Sequence, residues 1–157
     1  MTTTSQAFDA IVARLVASGT TLPLRYQGEN GLNNDPPVDD LGRALPFVLV
    51  DFDVHGHPTG GPDAFGGGQG ANLYRNPSTL TLYVLVPQGE GLKSATDKAE
   101  VLAPWFRSHR DSDISCFAAT VRPGGKGSSL APPGVDSAVD NYFWAAVEVD
   151  MHFTQIG

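Results

Sequence analysis

From Tyr142 to Ile156 the chain alternates without interruption. Phe143, Ala145, Val147, Val149, Met151 and Phe153 fall on one side, and Trp144, Ala146, Glu148, Asp150, His152 and Thr154 fall on the other. Period two over such a length is strand geometry, and it demands a sheet with one buried face and one largely polar face. That sheet needs a covering layer, and two segments supply it. Phe8, Ile11, Val12, Leu15 and Val16 recur at helical spacing and predict a helix over 5–18, capped by Ser5 or a neighbouring Thr and closed by Gly19. Behind Ser94-Ala-Thr-Asp97, the residues Ala95, Ala99, Leu102 and Phe106 predict a second helix over 94–107, which Pro104 should kink or end early.

Further strands are expected at Leu22–Gln27, Phe47–Val54, Ser78–Pro87 and Ser115–Arg122, where β-branched and apolar residues alternate between turn formers. The fold class is therefore α+β: a mainly antiparallel central sheet of about five strands, packed by two helices in a single domain over 1–157. The chain has 18 Gly and 12 Pro with only 17% charged residues, so long Gly/Pro-rich loops are expected. They fall at about 28–45, 55–72 and 122–140 and are read as flexible, 55–72 as a mobile arm or a long hairpin tip with too little side chain to offset the entropy of ordering. Loops of this length usually serve binding when they are not disordered.

Charge narrows the function. A net charge of −7 repels a nucleic-acid duplex or an anionic lipid surface, and the densest basic run, Arg107, His109 and Arg110, is thin. The start Met1-Thr-Thr-Thr-Ser-Gln lacks a basic, apolar leader, and no stretch approaches a membrane span, so an unexported protein without a membrane partner is expected. The single Cys116 has no disulfide partner, in keeping with a reducing compartment.

One string looks enzymatic. In Asp51-Phe-Asp-Val-His-Gly-His57, alternate residues on a strand point the same way, so Asp51, Asp53, His55 and His57 could offer oxygen and imidazole to one metal. A strand end running into a glycine loop is equally a natural place for solvated Asp and His. Gly66-Gly-Gly-Gln-Gly70 is followed by a strand and not by the helix that a phosphate loop requires, and Gly124-Gly-Lys126 has Thr120 where the nucleotide-binding pattern needs its first Gly. There is no G-x-S-x-G elbow, Cys116 reads as a small buried thiol, and His109 and His152 show no partner in the sequence. Trp105 and Trp144 read as core or interface aromatics. No catalytic residue, metal or cofactor is expected on the leading reading.

Three stretches carry a family resemblance. They are the opening helix Phe8–Leu15 followed by Leu22-Pro-Leu-Arg-Tyr-Gln-Gly-Glu-Asn30, the block Tyr74–Glu100 with its strand, Val-Pro-x-Gly-x-Gly turn and Ala-rich helix, and the alternating C-terminal strand. In element order, with a long loop before the third strand, the chain resembles the tail terminator proteins of long-tailed, lambda-like bacteriophages. The resemblance implies an α+β virion subunit that forms a ring with itself, usually a homohexamer. Such a ring caps the last ring of the major tail tube protein, ends tube polymerisation and faces a neck or head-completion protein. The genome would pass through its lumen without sequence-specific binding. The protein would be found in host cytoplasm during assembly and in the tail of the virion. Contacts to neighbours are expected from the loops: Arg122 and Lys126 from one, where two positive charges on an acidic protein suit an acidic partner, and Asp63, Phe65, Gln69 and Arg75 from the other. The glycine stretch Gly56–Gly70 has no counterpart in the family pattern. Another neck or tail-completion subunit is the alternative within the class, and a small metal-dependent enzyme built on Asp51–His57 is the alternative outside it.

Overall fold

The computed structural model describes residues 2–26, 36–55, 63–68, 71–126 and 141–156. Its elements run α1 (Thr4–Ala17), β1 (Leu24–Tyr26), β2 (Phe47–Val54), β3 (Asp63–Gly68), β4 (Ala71–Pro87), α2 (Gly91–Phe106), β5 (Ser115–Lys126) and β6 (Tyr142–Ile156). The fold is α+β as expected. One sheet has the order β1-β2-β4-β6-β5, with β3 also paired to β4. Only the β1–β2 pair is parallel.

The β4–β6 pair forms the spine, in unbroken antiparallel register from Leu73↔Ile156 to Pro87↔Tyr142. Alternation then decides the faces. Val48 and Val50 of β2, Leu80, Leu82, Val84 and Val86 of β4, and Ala145, Val147, Val149, Met151 and Phe153 of β6 point one way and are buried. Both helices lie on that face, α1 through Ala7, Ile11 and Leu15, and α2 through Ala95, Ala99, Leu102, Ala103 and Phe106. Burying each of the larger side chains contributes about 1.5–3 kcal/mol before entropy is counted.

Of the expected caps, it is the neighbouring Thr3 that starts α1: its hydroxyl accepts from the Gln6 amide while the Gln6 side chain accepts from the Thr3 amide. Gly19 does take a left-handed φ of +69° after the last turn. α2 begins at Gly91, earlier than position 94, with Glu90 as its first flanking residue. Ser94 and Lys98 turn back to the Glu90 carboxylate instead of capping a later start. Pro104 does not end α2, which continues to Phe106. A proline one turn from the end forfeits a single bond to the preceding turn, and the Arg107 amide closes the helix on the Ala103 carbonyl.

The loops need the larger correction. Of the segment 55–72, Asp63–Gly68 is strand β3, and the β4 strand starts at Ala71, seven residues before the expected Ser78. β3 continues along the edge of β4 that β2 leaves, with Val54↔Ser78 followed by Asp63↔Arg75, so a broken strand runs the length of β4. Pro77, which has no amide to donate, sits in the gap between the two partners, and its carbonyl accepts from the His55 amide. At the other end, β5 does not stop at Arg122 but pairs with β6 as far as Lys126↔Phe143, through a bulge at Gly124–Gly125 opposite Trp144.

The stretch 37–45 is a bonded turn. Val38 bridges Ala44, the Leu45 amide donates to the Pro37 carbonyl, and the Asp39 carboxylate accepts from the amides of Leu41 and Arg43 and from the Arg43 guanidinium at 2.7–2.9 Å. Gly42 supplies the positive φ that closes the turn. The rest of the three expected loops, including Gln69 and His57, lies outside the described residues. Among the described residues, no helix is long and apolar enough to cross a membrane.

The bulge yields a test. A Cβ on Gly124 would run into the ring and carbonyl of Trp144, whereas one on Gly125 would meet nothing within 4 Å. Gly124→Ala should therefore lower stability by about 1–3 kcal/mol in urea denaturation, while Gly125→Ala stays within about 0.5 kcal/mol of the parent.

Candidate interaction surface

Both helices pack on one face of the sheet, and the registers lay the side chains of the second face out in rows. Phe47, Leu85 and Trp144 make the first row and Leu49, Tyr83, Ala146 and Arg122 the second. Asp51, Thr81, Glu148 and Thr120 follow, and then Asp53, Thr79 and Asp150. The alternation of the last strand predicts this face to be largely polar. Half of it is apolar and closed: Phe47, Leu49, Leu85, Tyr142, Trp144 and Ala146 are buried in a second cluster against Tyr83. Tyr142 stacks edge-on against Phe47 and donates its hydroxyl proton to the Leu45 carbonyl at 3.2 Å. The bulged end of β5 lies over Trp144, and the Arg122 guanidinium sits 5.7 Å above its ring. The buried indole Nε1 of Trp144 finds no acceptor among the described residues.

The other half is acidic. Asp51, Asp53, Glu148 and Asp150 occupy two adjacent rows, and Arg122 pairs with Glu148 at 2.7 Å. Burial, and then the neighbouring Asp53 charge, push the Asp51 carboxyl above its ordinary range. Burial raises the Tyr83 hydroxyl as well, with help from Asp51. The acidic rows thus lie directly beside the buried aromatic cluster around Trp144.

At the root of the β3–β4 hairpin a groove of about 340 Å³ is lined by His55, Arg75, Thr79, Phe117, Asp150 and His152. Asp53 and Thr79 flank the His55 imidazole, at 3.3 Å from Nδ1 and 2.7 Å from Nε2. The order carboxylate, imidazole, hydroxyl is that of a hydrolytic relay. Its setting is not, because the Asp53 side chain is 70% exposed and water competes for every polarising contact. For the metal alternative, Asp51, Asp53 and His55 do share the outer face, but no group of three metal-binding side chains forms among the described residues. His57 lies outside them.

The remaining candidates resolve as follows. Cys116 is buried, and burial above all pushes its thiol up to about 11, which disfavours the thiolate at neutral pH. Both histidines without an expected partner have one: His109 Nε2 lies 3.0 Å from Asp111, and His152 stacks on Phe117 with ring centres 5.0 Å apart. Burial and the charges of Arg75 and Arg110 hold the His152 imidazole below its usual range.

Of the six expected contact residues, the five that are described separate into two groups. Asp63 and Arg75 face each other across the β3–β4 hairpin, with Phe65 at its irregularity between Ala64 and Gly66. Arg122 and Lys126 sit on β5, opposite Ala146 and Phe143. Arg75 stands beside Thr154, eight steps along β6 from the Arg122 position and eleven from the Lys126 position, about 26–36 Å at ~3.3 Å per residue. Gln69 lies outside the described residues. Sequence reading missed Phe47, Leu49 and Tyr83 as a joint surface with Trp144. The available signal was apolar residues on both sides of the first half of β2.

Two measurements follow. Asp51→Asn removes a carboxylate whose ionisation the fold opposes, so it should raise the urea midpoint at pH 7, and the gain should vanish as the pH falls through the carboxylate range and the parent's Asp51 becomes protonated. Iodoacetamide at pH 8 should leave Cys116 unmodified in the folded protein and label it fully in 8 M urea, as read by mass spectrometry.

Comparison with protein-family models and with curated proteins returns no match to this chain.

Proposed function

We propose that this chain is a structural virion subunit, the tail terminator of a long-tailed phage. In this reading it assembles with itself into a hexameric ring on the last ring of the major tail tube protein, stops tube growth, and offers its far side to a neck or head-completion protein. The reading starts from the family resemblance of the helix, the Tyr74–Glu100 block and the last strand. The observation that carries it is the division of the described contact residues into two unlike groups about 26–36 Å apart along one sheet. A closed ring is heterologous: each copy meets its neighbours through two different patches, and a long sheet that holds one patch near each end provides them.

Electrostatics agrees with a channel role. With a net charge of −7 and four carboxylates on the second face, a ring that turned this face to its lumen would repel DNA and let it slide. Neither a catalytic group nor a cofactor is required for capping.

The test is a tube-length assay. Purified chain added to polymerising tail tube protein should fix tube length at a sub-stoichiometric dose, and electron microscopy should show one six-fold ring per tube end. Tubes that grow without limit in its presence exclude the terminator. A ring found only on the head-side neck points to the neck subunit instead.

A further inference from the structure

The turn 37–45 holds apolar side chains out to water on a rigid frame. Leu41 is 76% exposed and Val38 59%, yet the backbone beneath them is fixed by the Asp39 carboxylate, the Val38–Ala44 bridge and the positive φ of Gly42. Hydrogen bonding to the Arg43 amide leads the effects that keep the Asp39 carboxylate ionised below its ordinary range, so the frame persists at neutral pH. A preordered loop with a leucine at its tip loses little entropy on docking, and nothing in its own fold uses that leucine. Asp40, next to it, forms no ion pair among the described residues.

The same chain carries a matching receptor on its helix layer. Between the end of α1 and the middle of α2 lies a groove of about 260 Å³, lined by Gly19, Thr21, Leu22, Lys98, Val101 and Leu102, large enough for one aliphatic side chain with its flank. Val101 in its wall is 67% exposed, and Val16 on the last turn of α1 is 65% exposed. Lys98 donates to Glu90 and Ser94, which leaves one of its three N–H groups unspent at the rim.

We infer that Leu41 of one copy seats in the Gly19–Val101 groove of a second copy, with Asp40 meeting the free N–H of Lys98. Complementarity argues for this occupant: an apolar tip beside one unpaired acid, and a largely apolar groove at whose rim Lys98, ion-paired with Glu90 at 2.9 Å, keeps one N–H to give. Each copy carries one tip and one groove, so the contact repeats head to tail. In that order it rests on the ring reading and adds to the two sheet-end patches a further contact between its subunits.

Disulfide trapping tests it. A tagged Leu41→Cys copy mixed with an untagged Val101→Cys copy should cross-link at least ten-fold faster than the same partner with Glu100→Cys, an exposed neighbour one position along α2. Buried Cys116 stays silent in this assay. Leu41→Asp should weaken self-association at least ten-fold by sedimentation while leaving the melting midpoint unchanged. Equal cross-linking rates, association indifferent to Leu41→Asp, or a wild-type chain monomeric to millimolar concentration overturns the contact. The tube-length assay fails or succeeds separately: capping by Leu41→Asp at the parent's dose removes this contact and keeps the terminator, and tip-to-groove cross-links without capping do the reverse.

Discussion

Everything in this molecule hangs on the pairing of β4 with β6. The two strands are distant in sequence and meet in one continuous register, from Leu73↔Ile156 to Pro87↔Tyr142. A slip of one residue would turn Leu80, Leu82, Val84, Val147 and Val149 to the outer face and leave both helices with nothing to cover. The helices reinforce the same choice, since Ile11, Leu15 and Phe106 are buried only against that face. β2 on one flank and β5 on the other then inherit their registers from the spine.

How far the sequence revealed this depends on how much side chain each segment carries. The last strand and α1 were legible because a side-chain period of two or 3.6 is visible wherever polar and apolar residues differ. β3 was not. Its Asp-Ala-Phe-Gly-Gly-Gly has almost no side chains to alternate, and it is a strand because β4 offers it an edge just where β2 departs. The extension of β5 through Pro123-Gly-Gly-Lys126 was hidden likewise, since a proline and two glycines read as a turn until a bulge against Trp144 gives them a place. The start of α2 was misplaced by a plausible local cap, Ser94, whose hydroxyl goes to Glu90 instead.

The surface shows the same division. Asp51 and Asp53 shared a face as their spacing required, and Cys116 was buried as its neighbours suggested. The aromatic cluster around Trp144 depends on which residues sit across from one another in β2, β4 and β6, a long-range fact that no local window contains. The turn 37–45 was read as loose from its prolines, aspartates and glycine. The bonds that order it run from one carboxylate, Asp39, and composition does not register them.

The acidic half of the second face also decides which assemblies are closed to this protein. Two sheets laid face to face about a two-fold axis would set Asp51, Asp53, Glu148 and Asp150 against their own images, with Arg122 already committed to Glu148. Like charges brought together out of water cost several kcal/mol. A flat sandwich about such an axis is thereby opposed by sign.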